Sequence, residues 1–190
     1  MTEKEQPESK KRELMNLYDS TASIYNSRYR AIQHRKYQYV RGSPSRRDVL
    51  LDVGCGTGLL FNGFGCDVSY LVGVDISIKM LKTALRSFKR SALRVDLFRA
   101  DADSLPFRDN TFTMVTSVTV LQNMPEPCET IREIARVARV GCQVVFTCLK
   151  KKHDLLSLRR IILSGANGLN ITSEWDTGEE DIGISATKLI

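Results

Sequence analysis

This sequence predicts an α/β domain with a mostly parallel seven-stranded sheet, and three observations lead there. The first is the stretch Val49-Leu50-Leu51-Asp52-Val53-Gly54-Cys55-Gly56-Thr57-Gly58. A largely apolar segment runs into three glycines at alternate positions, and an apolar helix start, Leu59-Leu60-Phe61, follows. The second is a pair of further strand-like segments, Tyr70 to Val74 and Arg94 to Ala100, each followed at once by an aspartate, Asp75 and Asp101. The third is bulk: 190 residues with 42% hydrophobic content suit one domain with a real core.

The glycine-rich stretch sets the chemistry. Glycine has no Cβ and accepts positive φ, so a ligand can approach the backbone closely. A strand, such a turn and a helix form the crevice that holds a nucleotide-like cofactor at the carboxyl edge of a parallel sheet. A dinucleotide fingerprint puts its third glycine three residues after the second. Here that slot is Leu59, and the glycine comes one earlier, at Gly58. Asp52 stands just before the glycines, where a carboxylate repels a pyrophosphate and attracts a cationic amino group. The pattern Asp-x-Gly-x-Gly-x-Gly resembles the first motif of the class I S-adenosylmethionine (SAM) methyltransferases. Their cofactor has no phosphate and carries an α-amino group and a sulfonium. The resemblance implies a Rossmann-like three-layer sandwich, SAM as cofactor, Asp52 at its amino end, and Gly54, Gly56 and Gly58 along its passage.

In chain order, residues 1–12 read as a flexible charged tail and residues 13–190 as a single domain. From Glu13 the apolar positions Leu14, Leu17, Tyr18, Ala22, Tyr25, Tyr29 and Ile32 recur three or four apart, as in a helix. Tyr18-Asp19-x-x-Ala22-x-x-Tyr25 is similar to the N-terminal helix of the methyltransferases related to ubiquinone and menaquinone biosynthesis. That resemblance implies a helix folded over the cofactor pocket, with Tyr18 and Tyr25 lining it. It departs at Asn26, where aspartate is commoner. From Ser20 to Arg47 there are seven Arg or Lys residues (28, 30, 35, 36, 41, 46 and 47), no acid, and tyrosines at 25, 29, 37 and 39. This composition suits a surface that stacks bases and neutralises phosphates. It equally suits a solvated basic helix whose tyrosines pack on the sheet. On the first reading Arg35 and Lys36, with Arg28, Arg30 and the lysines at 150–152, face the substrate. Gly42-Ser43-Pro44-Ser45 breaks the chain before the first strand.

A carboxylate at the end of the second strand suits the two hydroxyls of a ribose, which is the role expected of Asp75. Asp75 or Ser77 could also cap the next helix, whose buried face is Ile78, Leu81, Leu85 and Phe88. Asp101-Ala102-Asp103-Ser104-Leu105-Pro106-Phe107 looks like the family segment Asp-Ala-x-x-Leu-Pro-Phe. The likeness implies that Asp101 and Ala102 hold the adenine edge, and it completes the cofactor set with Ile76 and Val118. Thr111 to Val120 reads as the fourth strand. Gln122 and Asn123 lie at its carboxyl end as substrate-side candidates, able to orient a nucleophile or to cap the next helix, and poor as bases. A helix from Glu126 to Arg139 is expected to end at Gly141, before a strand from Cys142 to Leu149. The remainder predicts a sixth and a seventh strand, with acids at 174, 176, 179, 180 and 181 around Trp175.

Composition bounds the rest. No run of eighteen apolar residues exists, so a membrane span is excluded. The charged start lacks the apolar segment of a secretory signal. Five cysteines without a Cys-x-x-Cys pair argue for a reduced, cytoplasmic protein with no zinc site of its own. A net charge of +6 and a pI near 9.1 favour a polyanion such as tRNA as substrate. Such short methyltransferases lack a large substrate lid, which fits an external macromolecule or a small activating partner subunit. The alternatives are a small-molecule O-, N- or C-methyltransferase and a catalytically silent cofactor-binding subunit.

Overall fold

A computed structural model describes residues 7–40, 44–45, 47–64, 67–89 and 91–190. Two helices, α1 (Pro7–Thr21) and α2 (Tyr25–Val40), precede β1 (Val49–Val53). There follow α3 (Phe61–Phe64), β2 (Tyr70–Asp75), α4 (Ile78–Phe88), β3 (Val95–Arg99) and β4 (Phe112–Val118). A 3-10 turn (Leu121–Asn123), α5 (Pro127–Val137), β5 (Ala138–Leu149), α6 (Leu155–Gly165), β6 (Leu169–Asp176) and β7 (Asp181–Lys188) complete the chain.

The strands form one sheet in the order β3-β2-β1-β4-β5-β7-β6. The first five run parallel, and β7 inserts antiparallel between β5 and β6. Alternate residues of each central strand feed opposite faces. Leu51, Val53, Val72, Val115 and Val144 pack with Ile131 and Ile134 of α5 and Leu158 and Ile162 of α6. Leu50, Leu71, Met114 and Val145 pack with Val40, Phe61, Phe64, Leu81 and Phe88 from α2, α3 and α4. Strands buried on both faces explain the unbroken apolar runs in the sequence. The strand order reverses between β1 and β4, which leaves a crevice at their carboxyl ends.

Three expectations need correcting. Residues 7–12 are the first turns of α1, not a tail. Pro7 sits at the helix start, where a missing N–H costs nothing, Glu8 suits the positive end of the helix dipole, and Lys11 is captured by acids of the body. The helical pattern that begins near Glu13 is two helices, separated at 22–24. Finally, α5 ends at Val137, before Gly141. The buried Ala138 pairs at once with Phe112, and Gly141, at φ +81°, lies inside an irregular stretch of β5. The expected break at 42–45 falls largely outside the described residues.

Candidate cofactor site

The crevice at the ends of β1, β2 and β4 holds two joined chambers. The larger, about 790 Å³, is lined by residues including Lys11, Leu14, Tyr18, Gly56, Asp75, Ile76, Asp101, Ala102 and Asn123. The smaller, about 300 Å³, is lined by residues including Gln33, Tyr37, Asp52, Thr57 and Leu60. Tyr25, Gly54, Gly56 and Val118 belong to both walls, so the two chambers adjoin there.

The glycine loop lies between the two chambers. The amides of Gly54 and Cys55 both donate to the Val74 carbonyl, at 2.8 and 2.9 Å, and lock the loop onto the end of β2. Gly54 has φ +76°, and a Cβ there would lie 2.3 Å from Val120. Gly56 has φ +55°, and a Cβ there would meet nothing within 4 Å. Its side-chain position is open chamber. Gly58 differs from the expectation: it lines neither chamber. A Cβ on it would come within 2.5 Å of the Phe88 ring, so this glycine lets α4 pack against the loop.

Asp75 stands in the wall of the large chamber. One carboxylate oxygen accepts from the Gly56 amide and the other from the Ser77 amide, both at 2.8 Å. Each oxygen keeps a free lone pair, so a vicinal diol can still donate to both. Burial raises the Asp75 pKa. Ser77, not Asp75, caps α4, accepting from the Met80 amide at 3.1 Å. Ile76 follows Asp75 on the same wall.

Asp101 accepts from the Asp103 amide at 3.0 Å and from the Lys11 ammonium at 2.8 Å. Lys11 also pairs with Asp103, so one cation from α1 bridges two acids beside Ala102. Burial lowers the pKa of Lys11, and its bonds to the two carboxylates outweigh that and leave it raised.

Asp52 is 3% exposed, and its carboxylate accepts from Thr116 Oγ1 at 2.8 Å. Burial pushes its pKa up to about 7, and nearby Asp75 adds to the rise. Among the described residues, no Lys, Arg or His lines the small chamber. Its electrostatics therefore favour a cation.

The cap comes from α1 and α2. Tyr18 Oη accepts from Asn123 Nδ2 at 3.1 Å, and Tyr25 Oη accepts from Gln33 Nε2 at 3.3 Å. Burial pushes the Tyr25 hydroxyl up to about 12, so it is neutral at ordinary pH. Asp19 accepts from Ser77 Oγ and from the Lys79 amide, tying α1 to the start of α4.

At the end of β4, Asn123 lines the large chamber, and its amide also donates to the Thr119 carbonyl at 3.3 Å. Thr119 itself has φ +57°, a strained value for a β-branched residue and one found at functional turns. Gln122 departs from the expectation. Its amide donates to the Thr119 carbonyl at 2.7 Å, and it lines neither chamber.

The proposed basic rim is corrected as well. Lys36 is 8% exposed and forms a 2.7 Å ion pair with Asp181, itself 2% exposed. An ammonium held there by β7 faces no external ligand. Arg35 pairs with Glu179 at 3.0 Å on the surface, and Lys150 pairs with Asp176.

Sequence reasoning missed Lys11, Gln33, Tyr37, Met80 and Thr119. A signal existed for two of them: Tyr25, Tyr29, Gln33 and Tyr37 recur every four residues, one face of α2.

The family described as methyltransferase domain matches residues 51–146, from β1 into β5. The chain belongs to that family. This methyltransferase domain is 34% identical over 144 residues to demethylmenaquinone methyltransferase of Anoxybacillus flavithermus, across 73% of the chain and 59% of the relative. It is 30% identical over 103 residues to ubiquinone biosynthesis O-methyltransferase of Aromatoleum aromaticum, across 54% of the chain and 44% of the relative. The chain thus spans about half the length of the curated relatives it matches. Magnesium protoporphyrin IX methyltransferase from Synechocystis PCC 6803, solved with bound SAM, has the same fold. The TM-score is 0.76 at 19% identity, covering 94% of this chain and 97% of that one.

Members of the family are SAM-dependent enzymes, and the residues around the two chambers fit that cofactor. The open position at Gly56 leaves room for a ligand along the loop. Asp75 retains acceptors for a ribose, and the acidic small chamber suits an amino group. Among the described residues, no helix is long and apolar enough to cross a membrane.

Proposed function

We propose that this methyltransferase domain transfers a methyl group from SAM to a small molecule bearing an O, N or C nucleophile. The observation that carries this reading is the larger chamber. Besides Asp75 and Asp101 its lining includes the apolar Leu14, Val120 and Met124, with the Tyr18 hydroxyl, Thr119 and the Asn123 amide as polar groups among them. The names of the quinone-pathway relatives point the same way. Bound in these chambers, SAM supplies a methyl carbon made electrophilic by its sulfonium. The chain's own work is to bind and orient. Asp52 faces the amino end, Asp75 the ribose, and Asp101 with Ala102 the adenine. Thr119 and Asn123 stand where β4 ends, and they orient by hydrogen bonds instead of taking protons.

A second reading is methylation of RNA such as tRNA. The net charge of +6 supports it, as do the exposed Arg28, Arg30, Lys151 and Lys152. Against it, Arg35 and Lys36 of the basic stretch, with Lys150 and Arg159, are spent on ion pairs with the acids of β6, β7 and their turn. The test is incubation with methyl-labelled SAM and separated small-molecule, RNA and protein fractions of the source cell. Label is expected in the small-molecule fraction. Label in RNA, transferred with steep salt dependence, would favour the second reading. Label in none would favour a silent subunit or one that needs an activating partner.

A further inference from the structure

We propose that Gln33 of α2 acts with Asp52 of β1 as the acceptor pair for the amino group at the amino-acid end of the cofactor. The proposal rests on the reading of the cofactor as SAM and extends it to a helix outside the 51–146 family match.

Gln33 is 7% exposed and stands in the wall of the small chamber with Asp52. Its Nε2 is used, donating to Tyr25 Oη at 3.3 Å. Its Oε1 is fully buried and has no hydrogen-bond partner among the described residues. A buried amide carbonyl without a partner is a costly arrangement, and native proteins keep few of them. Such a group in a chamber wall is therefore a place to look for a ligand donor.

The other groups around the chamber define that donor. Among the described residues, Asp52 is the one acid in the lining and no basic side chain opposes it. Thr57 is engaged by Asn26 through its hydroxyl, and Tyr25 by Gln33. The remaining lining is largely apolar, from Leu59, Leu60 and Val118. A carboxylate and an amide carbonyl together accept from a primary ammonium, which has three donors and no acceptor. The ring nitrogens of an adenine need donors, and a ribose diol has its two acceptors in the carboxylate of Asp75 in the larger chamber. Gly54 and Gly56 stand in the walls of both chambers, so a ligand lying along the loop would place its adenosine in the large chamber and its ammonium in the small one. The fold serves this arrangement through α2, whose Lys36, three residues on, is locked to Asp181. That anchor holds the Gln33 face of the helix against the sheet.

The experiment is calorimetric binding to the full chain of two probes, S-adenosylhomocysteine and 5′-methylthioadenosine. They share the adenosine and the sulfur, and only the first carries the amino-acid end. Gln33→Met removes the acceptor at similar length. It should weaken S-adenosylhomocysteine about tenfold, the scale of one hydrogen bond to a charged group, and leave methylthioadenosine unchanged. Equal loss on both probes, or loss on neither, overturns the proposal. If Gln33→Met does not fold, Gln33→Glu is used instead. It keeps an acceptor at the same reach, so the preference for S-adenosylhomocysteine should be kept or increased, and a reduced preference overturns the proposal. Wild-type protein that binds neither probe is a different failure, because it removes the SAM reading on which the proposal stands.

Discussion

The floor of the cofactor site and its cap are held by opposite means. The floor is the carboxyl edge of β1, β2 and β4, whose flanking residues belong to the two apolar clusters. The cap begins with α1, which has no buried residue. Polar tethers hold α1: Lys11 to Asp101 and Asp103, Asp19 to Ser77 and Lys79, and Tyr18 to Asn123. Between these extremes lies α2, which has buried residues and one buried ion pair. The comparison separates what fixes the site from what can open. Apolar burial makes the floor part of the core, whereas α1, held by part-buried polar bonds without a buried apolar face, opens more readily.

The largest expected effect lies in the middle case. Lys36→Ala leaves Asp181 buried and without its cation, and breaking a buried pair costs about 3–5 kcal/mol. Urea unfolding should show a loss of that size. The double variant Lys36→Met with Asp181→Leu should recover most of it, since an apolar pair of similar volume suits the site. A loss for Lys36→Ala below about 1 kcal/mol, the range of surface pairs, would show that α2 is held like α1.

Next comes the floor. Gly56→Val puts a side chain into the open space where the two chambers adjoin and places a β-branched residue at φ +55°. The left-handed backbone should lower stability by roughly 1–2 kcal/mol, and the chain should still fold, because the added Cβ meets nothing within 4 Å. SAM binding should be lost by calorimetry. Retained affinity would mean that the cofactor does not pass along Gly56.

The smallest effect belongs to the outer cap. Lys11→Ala removes a partly exposed bridge and should change unfolding free energy by no more than about 1 kcal/mol. A change much larger than that would place α1 in the cooperative core and erase the contrast between cap and floor.

The same contrast explains how far the sequence could be read. The glycine turn, Asp75 and Asp101 were legible because each is a local pattern: a strand, then the residue at its end. Gly58 was misassigned because its reason is the Phe88 ring, thirty positions away in the chain and invisible to spacing. Lys11 reads as part of a tail because charged residues ahead of an apolar pattern look solvated, and its partners lie ninety and more residues on. Lys36 reads as a rim residue on the same ground. Its burial depends on β7, at the far end of the chain. The strands were legible through their apolar runs, while the start of β5 was not, because Ala138 takes its strand pairing from Phe112 and not from its own neighbours.

The central claim is that the carboxylate at the end of β1 meets a cationic amino group, and calorimetry of SAM binding across pH tests it most directly. In the free protein burial raises the Asp52 pKa to about 7, so below that pH the carboxyl is mostly protonated. Its neighbours Tyr37 and Cys55 are held neutral by burial, and Asp75 is an acid whose pKa is likewise raised. A bound ammonium favours the ionised carboxylate, so binding below pH 7 must release a proton. The affinity should therefore rise with pH, by roughly fivefold from pH 6 to pH 7. It should level above that and turn down past about pH 8, where an α-amino group of pKa roughly 7.7–8.0 loses its charge. Asp52→Asn should abolish the rise. One SAM per chain with this profile is the predicted result; no binding, a preference for NAD, or an affinity flat from pH 6 to pH 7 would contradict the account.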